Sequence, residues 1–246
     1  MSESPRFDHL LHCVPDVPRA VGDYTAAGLP AHVNPPHRGM RNGAWRLDTR
    51  YVEILTVEDR ATFSGSPFGV AIADWMPAID SLIGSGGGAL NFAIHVTDAA
   101  ETAERLRQEG HSAELTTFTF DGSPVSFREV ILKGAPDWAP FFITYSPAPE
   151  VLAQQAAEGR VNRGVHDLAG FVVETPDPDA SAAWLSQIAR VPLDRTGRVV
   201  ELPGGHVRFA PGTADRITAL LLTGGRPPVT ALHGLAVSNV TSEGDA

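Results

Sequence analysis

The sequence predicts an α+β fold built from repeated units of one strand, one helix and three further strands. The order strand, helix, strand, strand, strand occurs three times, in residues 7–58, 89–145 and 168–222, and such internal repeats indicate assembly from copies of one motif. Asp16, Asp98 and Asp177 each follow the first strand of a copy, where an aspartate can cap a helix. A length of 246 residues with 43% hydrophobic residues suits one large or two small domains.

The first unit begins with a short apolar strand over residues 10–14, which Pro15 bounds. Asp16 caps the helix that follows, with Pro18 in its first turn, and Gly28 ends the helix. Strands are then predicted over residues 31–34, 44–47 and 51–57. Residues 59–88 form a linker, in which the apolar spacing from Trp75 to Ile83 predicts a short amphipathic helix.

The second unit repeats this order, with a strand over residues 89–96, a helix over 99–109 and strands over 113–120, 125–132 and 140–145. Asp121-Gly122 is the turn signal between the first two of these three strands. A helical linker near residues 151–157 leads to the third unit, which has strands over residues 168–173, 199–202, 206–209 and 217–222 and a helix over 181–189. We therefore predict paired units in residues 1–148 and a third unit, with an added C-terminal strand, in residues 160–246.

Composition narrows the classes of partner. The net charge of −10 argues against nucleic acid, which needs clustered basic residues. Cys13 is the only cysteine, which predicts neither a disulfide framework nor a cysteine-based zinc cluster. The sequence shows no apolar run of membrane-spanning length and no signal-peptide pattern. We expect a cytoplasmic protein that binds a small-molecule substrate or ligand, and a homodimer is an open alternative.

His9 and Glu53 are the first candidate site residues. His9 lies in the first strand of the first unit and Glu53 in its last strand, Tyr51-Val52-Glu53-Ile54-Leu55. Imidazole and carboxylate groups suit Fe, Mn, Ni or Zn. Two ligands make only half of a metal site. The alternative is a purely structural role, in which His9 is a hydrogen-bonded histidine of its strand and Glu53 pairs with an arginine.

Polar side chains are also concentrated in the loop before the third strand of the first unit. His37, Arg38, Arg41 and Asn42 offer several donors there for an oxyanion or a carbonyl group, whereas a solvated turn is the alternative. Arg128 in the second unit either clamps an anion or forms an ion pair outside the sheet. The second unit is rich in aromatic residues, which build a core and could also line a pocket for an aromatic ligand.

Taken in order, these motifs resemble the vicinal oxygen chelate superfamily and, within it, the glyoxalase-like domain proteins. The resemblance rests on Asp8-His9 through Val14-Pro15-Asp16, on His37 with Arg41-Asn42, on the strand with Glu53, on Phe120-Asp121-Gly122, on Pro140-Phe141-Phe142-Ile143 and on Val173-Glu174-Thr175-Pro176-Asp177-Pro178. It covers roughly residues 7–224. It implies tandem βαβββ units that form cupped mixed β-sheets around a site.

The resemblance also implies a reaction class: a divalent-metal-dependent lyase, isomerase or dioxygenase acting on a small substrate with vicinal oxygens. His9, Glu53 and His95 are the predicted metal ligands, His95 being preferred to His233 as the group that completes the set. Glu53 or His37 would move the proton, and Arg41, Asn42 and Arg128 would bind substrate.

A second hypothesis is a metal-free binder, or a non-metal enzyme, of natural-product metabolism or resistance. This hypothesis is favoured because the second unit has Asn91 at the position where the first has His9, and so lacks a histidine ligand there.

Overall fold

The computed structural model describes residues 4–119, 122, 124–156 and 159–240. The first unit consists of one helix and four strands: β1 (Arg6–Cys13), α1 (Val17–Ala26), β2 (Ala31–Val33), β3 (Met40–Arg46) and β4 (Tyr51–Val57). The Asp16 carboxylate accepts a hydrogen bond from the Arg19 backbone N–H and so caps α1, which buries Val17 and Tyr24. β1 pairs in parallel with β4, and β3 lies antiparallel to β4 and to β2.

Short helices connect the first unit to the second: α2 (Arg60–Ser64), α3 (Pro67–Ala71), a 3-10 turn (Ala73–Trp75) and α4 (Met76–Gly84). The second unit then repeats the first, with β5 (Gly88–His95), α5 (Ala99–Gln108), β6 (Ala113–Thr119), β7 (Ser126–Leu132) and β8 (Phe141–Ser146). β5 pairs in parallel with β8 and antiparallel with β1, so the two units form one mixed sheet in the order β6-β7-β8-β5-β1-β4-β3-β2. The predicted fold class is confirmed.

The last part of the chain contains α6 (Pro149–Gln155), β9 (Asp167–Thr175), α7 (Pro178–Ala189), β10 (Val199–Val200), β11 (His206–Pro211), β12 (Arg216–Thr223), β13 (Ala231–Leu232) and β14 (Leu235–Asn239). β9 pairs in parallel with β11, as β1 does with β4. β12 runs antiparallel to β9 and parallel to β14. β12 therefore begins a shortened fourth unit without a helix, whereas the strand order had suggested that residues 217–222 close the third unit.

Two hydrophobic cores lie on opposite faces of the sheet. The larger one joins the helices to the sheet and the third unit to the first two, and in it Phe171 of β9 contacts Phe7 of β1 and Phe92 of β5 at ring distances of 5.9 and 4.7 Å. The smaller core lies under the connecting helices and includes Phe63 and Ile79. The connecting helices thus close one end of the concave face and leave the other end open.

His12 connects the end of the chain to the first strand. Its Nε2 is 2.9 Å from the carbonyl oxygen of His233, so Nε2 donates this bond and Nδ1 accepts from the Tyr24 hydroxyl at 2.7 Å. The His233 ring contacts Asp23 of α1 at 2.9 Å. Complete burial lowers the pKa of His12 to about 4, so the imidazole is neutral at neutral pH.

No helix in the described part of the chain is both long and apolar enough to cross a lipid bilayer. Asp121 of the predicted Asp121-Gly122 turn lies outside the described residues, as do Phe120 at the end of a predicted strand and Ala157 at the end of the predicted linker helix. The division into domains at residues 148 and 160 stays a prediction.

Candidate active site

A cavity of about 260 Å³ lies on the open part of the concave face. Both units contribute residues to its lining. In each strand the lining residues are every second one, because alternate side chains of a strand face the same side of the sheet. The aromatic part of its lining comes from β4, β6, β7, β8 and the connecting helices and consists of Tyr51, Phe63, Phe68, Phe118, Phe127, Phe141 and Tyr145. Its ionisable lining residues are His9, His37, Arg38, Glu53 and Glu129, and Asn42 is also polar. An apolar chamber with a few polar groups is typical of a small-molecule site.

His9 is held in one orientation by a buried carboxylate. Its Nδ1 lies 2.6 Å from Oδ1 of Asp8, which also accepts a hydrogen bond from the Tyr145 hydroxyl at 2.8 Å. Asp8 and His9 are each only 3% exposed. The His9 ring stacks on Tyr51 at 4.5 Å with an angle of 12°. With Nδ1–H donating to Asp8, the neutral imidazole keeps its lone pair on Nε2, the other ring nitrogen.

Glu53 lies beside His9 in the same cavity. Its Oε2 is 3.9 Å from Nε2 of His9, and its Oε1 accepts a hydrogen bond of 2.6 Å from the Asn42 side chain. The β1–β4 ladder pairs Leu11 with Glu53, which places His9 and Glu53 on one face. The structure therefore brings together the two residues that the sequence singled out first.

Glu129 of β7 is the second carboxyl group that lines the cavity, and it is buried, whereas Glu53 is half-buried. Burial, and then the negative charges of Glu53 and Asp8, raise its pKa to about 8. Its Oε2 is buried without a hydrogen-bond partner among the described residues. At neutral pH Glu129 is therefore a protonated carboxylic acid, and this acid can donate a hydrogen bond to a ligand.

A tight turn brings the loop residues to the cavity. His37 and Met40 exchange two backbone hydrogen bonds, of 2.8 and 3.0 Å, around Arg38 and Gly39. Arg38 and Gly39 both have positive φ, 50° and 81°, which is the geometry of a type I′ hairpin turn. His37, Arg38 and Met40 line the cavity as a result.

Other predicted residues lie away from this lining. Arg41 forms an ion pair with Glu58 at 2.6 Å, and Arg128 lies 3.5 Å from Asp98. His95 stacks on Tyr145 at 6.3 Å, and it is Tyr145 that forms the cavity wall. His233 forms a hydrogen bond to Asp23 of α1 and does not line the cavity. The substrate-binding roles of Arg41 and Arg128 and the metal role of His95 stay predictions.

The fit of a divalent metal to these residues is incomplete. His9 and Glu53 converge on the cavity, but β8 adds the apolar Phe141 and Ile143 from the second unit. Among the residues that the structure describes, no three histidine, cysteine, aspartate or glutamate side chains form a group that could hold a metal ion. A catalytic metal normally has three protein ligands.

Asp8, Tyr51, Tyr145 and Glu129 are site residues that the sequence analysis did not single out. Glu129 carried a usable signal, because it alternates with Phe127 and Ile131 on one face of β7 and is the only charged residue there. The contact between Tyr145 and Asp8 joins residues 137 positions apart and depends on the tertiary fold.

Residues 7–189 match the family model described as a glyoxalase-like domain. The comparison with curated proteins gave no match. Among solved structures, a hypothetical protein from Staphylococcus aureus is similar, with 13% identity over 96% of this chain and 100% of that chain and a TM-score of 0.73.

A variant of 4-hydroxymandelate synthase from Streptomyces coelicolor is 12% identical over 90% of this chain and 71% of that chain, with a TM-score of 0.56. At these identities the likenesses show a shared fold. The match over residues 7–189 confirms the resemblance to the glyoxalase-like domain proteins that the sequence shows, and the chain belongs to the glyoxalase-like domain family.

Proposed function

We propose that the cavity catalyses proton transfer at a carbon atom next to a carbonyl group of a small oxygenated substrate, as an isomerase or lyase does. His9 is the general base, Asp8 is the residue that positions it, and Glu129 is the neutral acid. The observation that carries this proposal is the buried Asp8–His9 pair beside Glu129, which lines the same aromatic cavity as His9 and has a buried Oε2 without a hydrogen-bond partner among the described residues.

The first step uses the lone pair of His9. Nε2 takes the proton from the carbon, and the resulting imidazolium is stabilised by the Asp8 carboxylate at Nδ1. Electron density moves from the broken C–H bond to the carbonyl oxygen, which becomes an enolate oxygen. The stacking of His9 on Tyr51 keeps the ring in place during this transfer.

Glu129 supports the same step from the opposite sheet half. Its proton can be donated to the developing enolate oxygen, as a carboxylic acid with a raised pKa does in other enzymes. If the deprotonated carbon carries a hydroxyl group, return of the proton from His9 to the former carbonyl carbon, with the hydroxyl proton passing to the Glu129 carboxylate, completes an isomerisation and restores both residues. If the neighbouring carbon carries a leaving group, its departure with the electron pair of the enolate completes an elimination. The volume of about 260 Å³ limits the substrate to a small molecule.

A metal-dependent reaction is the second candidate. The 3.9 Å between His9 Nε2 and Glu53 Oε2 favours it, because imidazole and carboxylate together suit Fe, Mn, Ni or Zn. In that case the ion would act as a Lewis acid toward the substrate oxygens. A metal-free binder without catalysis is the remaining alternative.

The test measures deuterium incorporation by NMR in D₂O with hydroxyacetone, acetoin, pyruvate and phenylpyruvate. Each protein is measured with a chelator and again with added Fe²⁺, Mn²⁺, Ni²⁺ or Zn²⁺. We expect chelator-resistant exchange that His9→Gln reduces at least about 100-fold and Asp8→Asn less. His111→Gln is the matched control, because its side chain does not line the cavity and has no assigned role in the site.

Exchange that requires an added metal and is lost in both His9→Gln and Glu53→Gln would favour the metal-dependent candidate. Equal rates in the wild type and His9→Gln would reject His9 as the base. Saturable binding of these compounds without exchange would favour the binder.

A further inference from the structure

A second cleft, of about 360 Å³, lies next to the active-site cavity and shares Tyr51 and Tyr145 with it. Its basic lining residues are His32 on β2, Arg46 on β3 and Arg160 after α6. The lining in the described part of the chain includes no aspartate or glutamate. This composition is unusual in a chain with a net charge of −10.

The basic groups of the cleft lie near one another, and the described residues of its lining contribute no carboxylate. Several other arginines are paired, as Arg41 is with Glu58, whereas neither Arg46 nor Arg160 forms an ion pair with a described residue. The Arg46 guanidinium lies 4.5 Å from the centre of the Tyr51 ring. Burial, followed by the charges of Arg160 and Arg46, lowers the pKa of His32.

We propose that this cleft binds an oxyanion, either a carboxylate or a phosphate group, between Arg46 and Arg160. An arginine side chain presents a planar set of donors that matches both anions and can bind them in a bidentate way. An anion at this position also offsets the repulsion between the two guanidinium groups. The Arg160 Nη1 atom lies 3.5 Å from Asn34 Oδ1 in an exposed contact, so the guanidinium group is accessible to an anion from solvent.

A chain of side-chain amides connects the cleft to the active site. Asn34 donates to Asn42 at 3.1 Å, and Asn42 donates to Glu53 at 2.6 Å. Tyr51 contacts Arg46 on the cleft side and His9 on the cavity side. The proposed anion is thus two side chains away from Glu53.

The experiment is isothermal titration of the full chain with sodium phosphate and, separately, sodium acetate, at constant ionic strength set with NaCl. We expect one saturable site whose Kd rises about tenfold in Arg46→Gln and in Arg160→Gln. Arg226→Gln removes an exposed arginine outside the cleft and should bind as the wild type does. Circular dichroism of each variant checks that the fold is intact.

Stronger binding of phosphate assigns the site to phosphate groups, and stronger binding of acetate assigns it to carboxylates. His9→Gln should bind either anion unchanged, because the cleft does not include His9. The proposal is wrong if neither anion binds more than chloride does, if Arg226→Gln loses as much affinity as the two cleft variants, or if His9→Gln abolishes binding. These results are independent of whether the cavity transfers protons.

Discussion

Glu129→Gln should make the protein more stable at neutral and alkaline pH. The change keeps the shape of the side chain and removes its ability to ionise. The carboxyl group is 3% exposed, has an unpaired oxygen and lies near two other carboxylates, Glu53 and Asp8. Ionising it in this place is unfavourable, so the native state of the wild type is penalised wherever the unfolded chain can release this proton.

The magnitude follows from the two pKa values of Glu129. The unfolded glutamate loses its proton near 4.5, whereas the folded one keeps it up to about 8. The unfolded state therefore binds fewer protons between these values, and stability falls by about 1.4 kcal/mol for each pH unit. The loss is on the order of 3 kcal/mol at pH 7 and reaches its full size above pH 8.

Urea denaturation followed by circular dichroism at pH 5, 6, 7 and 8 measures this effect. The stability difference between Glu129→Gln and the wild type should grow by about 3 kcal/mol across this range. Because only the change of this stability difference with pH is used, any pH-independent effect of the glutamine amide on stability cancels. Glu201→Gln, which removes a carboxylate from the exposed surface, is the matched control and should run parallel to the wild type.

Parallel pH profiles for Glu129→Gln and the wild type would refute the reasoning. Such a result would mean that Glu129 is already ionised at pH 5 in the native state. The neutral-acid role assigned to it in proton transfer would then be wrong as well. The infrared band of a protonated carboxyl group at pH 7, present in the wild type and absent in the variant, is an independent check.

Two further predictions concern hydrogen bonding and the turn beside the cavity. Tyr24→Phe removes the hydroxyl that donates to His12 and leaves a buried acceptor unpaired, so urea denaturation should show a loss of about 1–3 kcal/mol. No loss would mean that the hydroxyl does not satisfy His12. Gly39→Ala should lower the melting temperature clearly, because φ is 81° and the new carbon would lie 2.6 Å from the Phe63 nitrogen. Gly84→Ala has open space around it and is the control, and equal melting temperatures for both variants would contradict the role of the turn.

The sequence predicted the unit order well because each unit begins with clear local signals. The apolar strands and the aspartates that follow them depend on neighbouring residues, and Asp16, Asp98 and Asp177 all cap helices in the structure. Strand direction is not a local property. The pairing of β12 with β9 and β14 was missed for this reason, since nothing in residues 217–222 alone states which neighbour is parallel.

The site was predicted less completely: the sequence analysis named Arg128 but not its neighbour Glu129, and it named both Arg41 and Asn42, because residue type alone does not show which of two adjacent residues faces a cavity. Arg128 pairs with Asp98 while its neighbour Glu129 faces the cavity, and Arg41 pairs with Glu58 while Asn42 faces the cavity. Alternation along a strand requires each pair to split between the two faces. Which of the two residues faces the cavity becomes known only when the apolar residues of the same strand are assigned to one of the two hydrophobic cores.

The hydrogen bond from His12 to the His233 carbonyl has a consequence for the order in which the chain folds during synthesis. These residues are 221 positions apart, so β1 is made long before its partner leaves the ribosome. Until then the buried ring nitrogen of His12 has no acceptor at this position, which leaves the first unit less stable by about 1–3 kcal/mol. Contacts of such long range slow folding and form late. β1 is therefore synthesised well before β13 but is among the last strands to reach its final environment, and a nascent chain that ends before β13 should be more sensitive to protease in its first unit than the full chain.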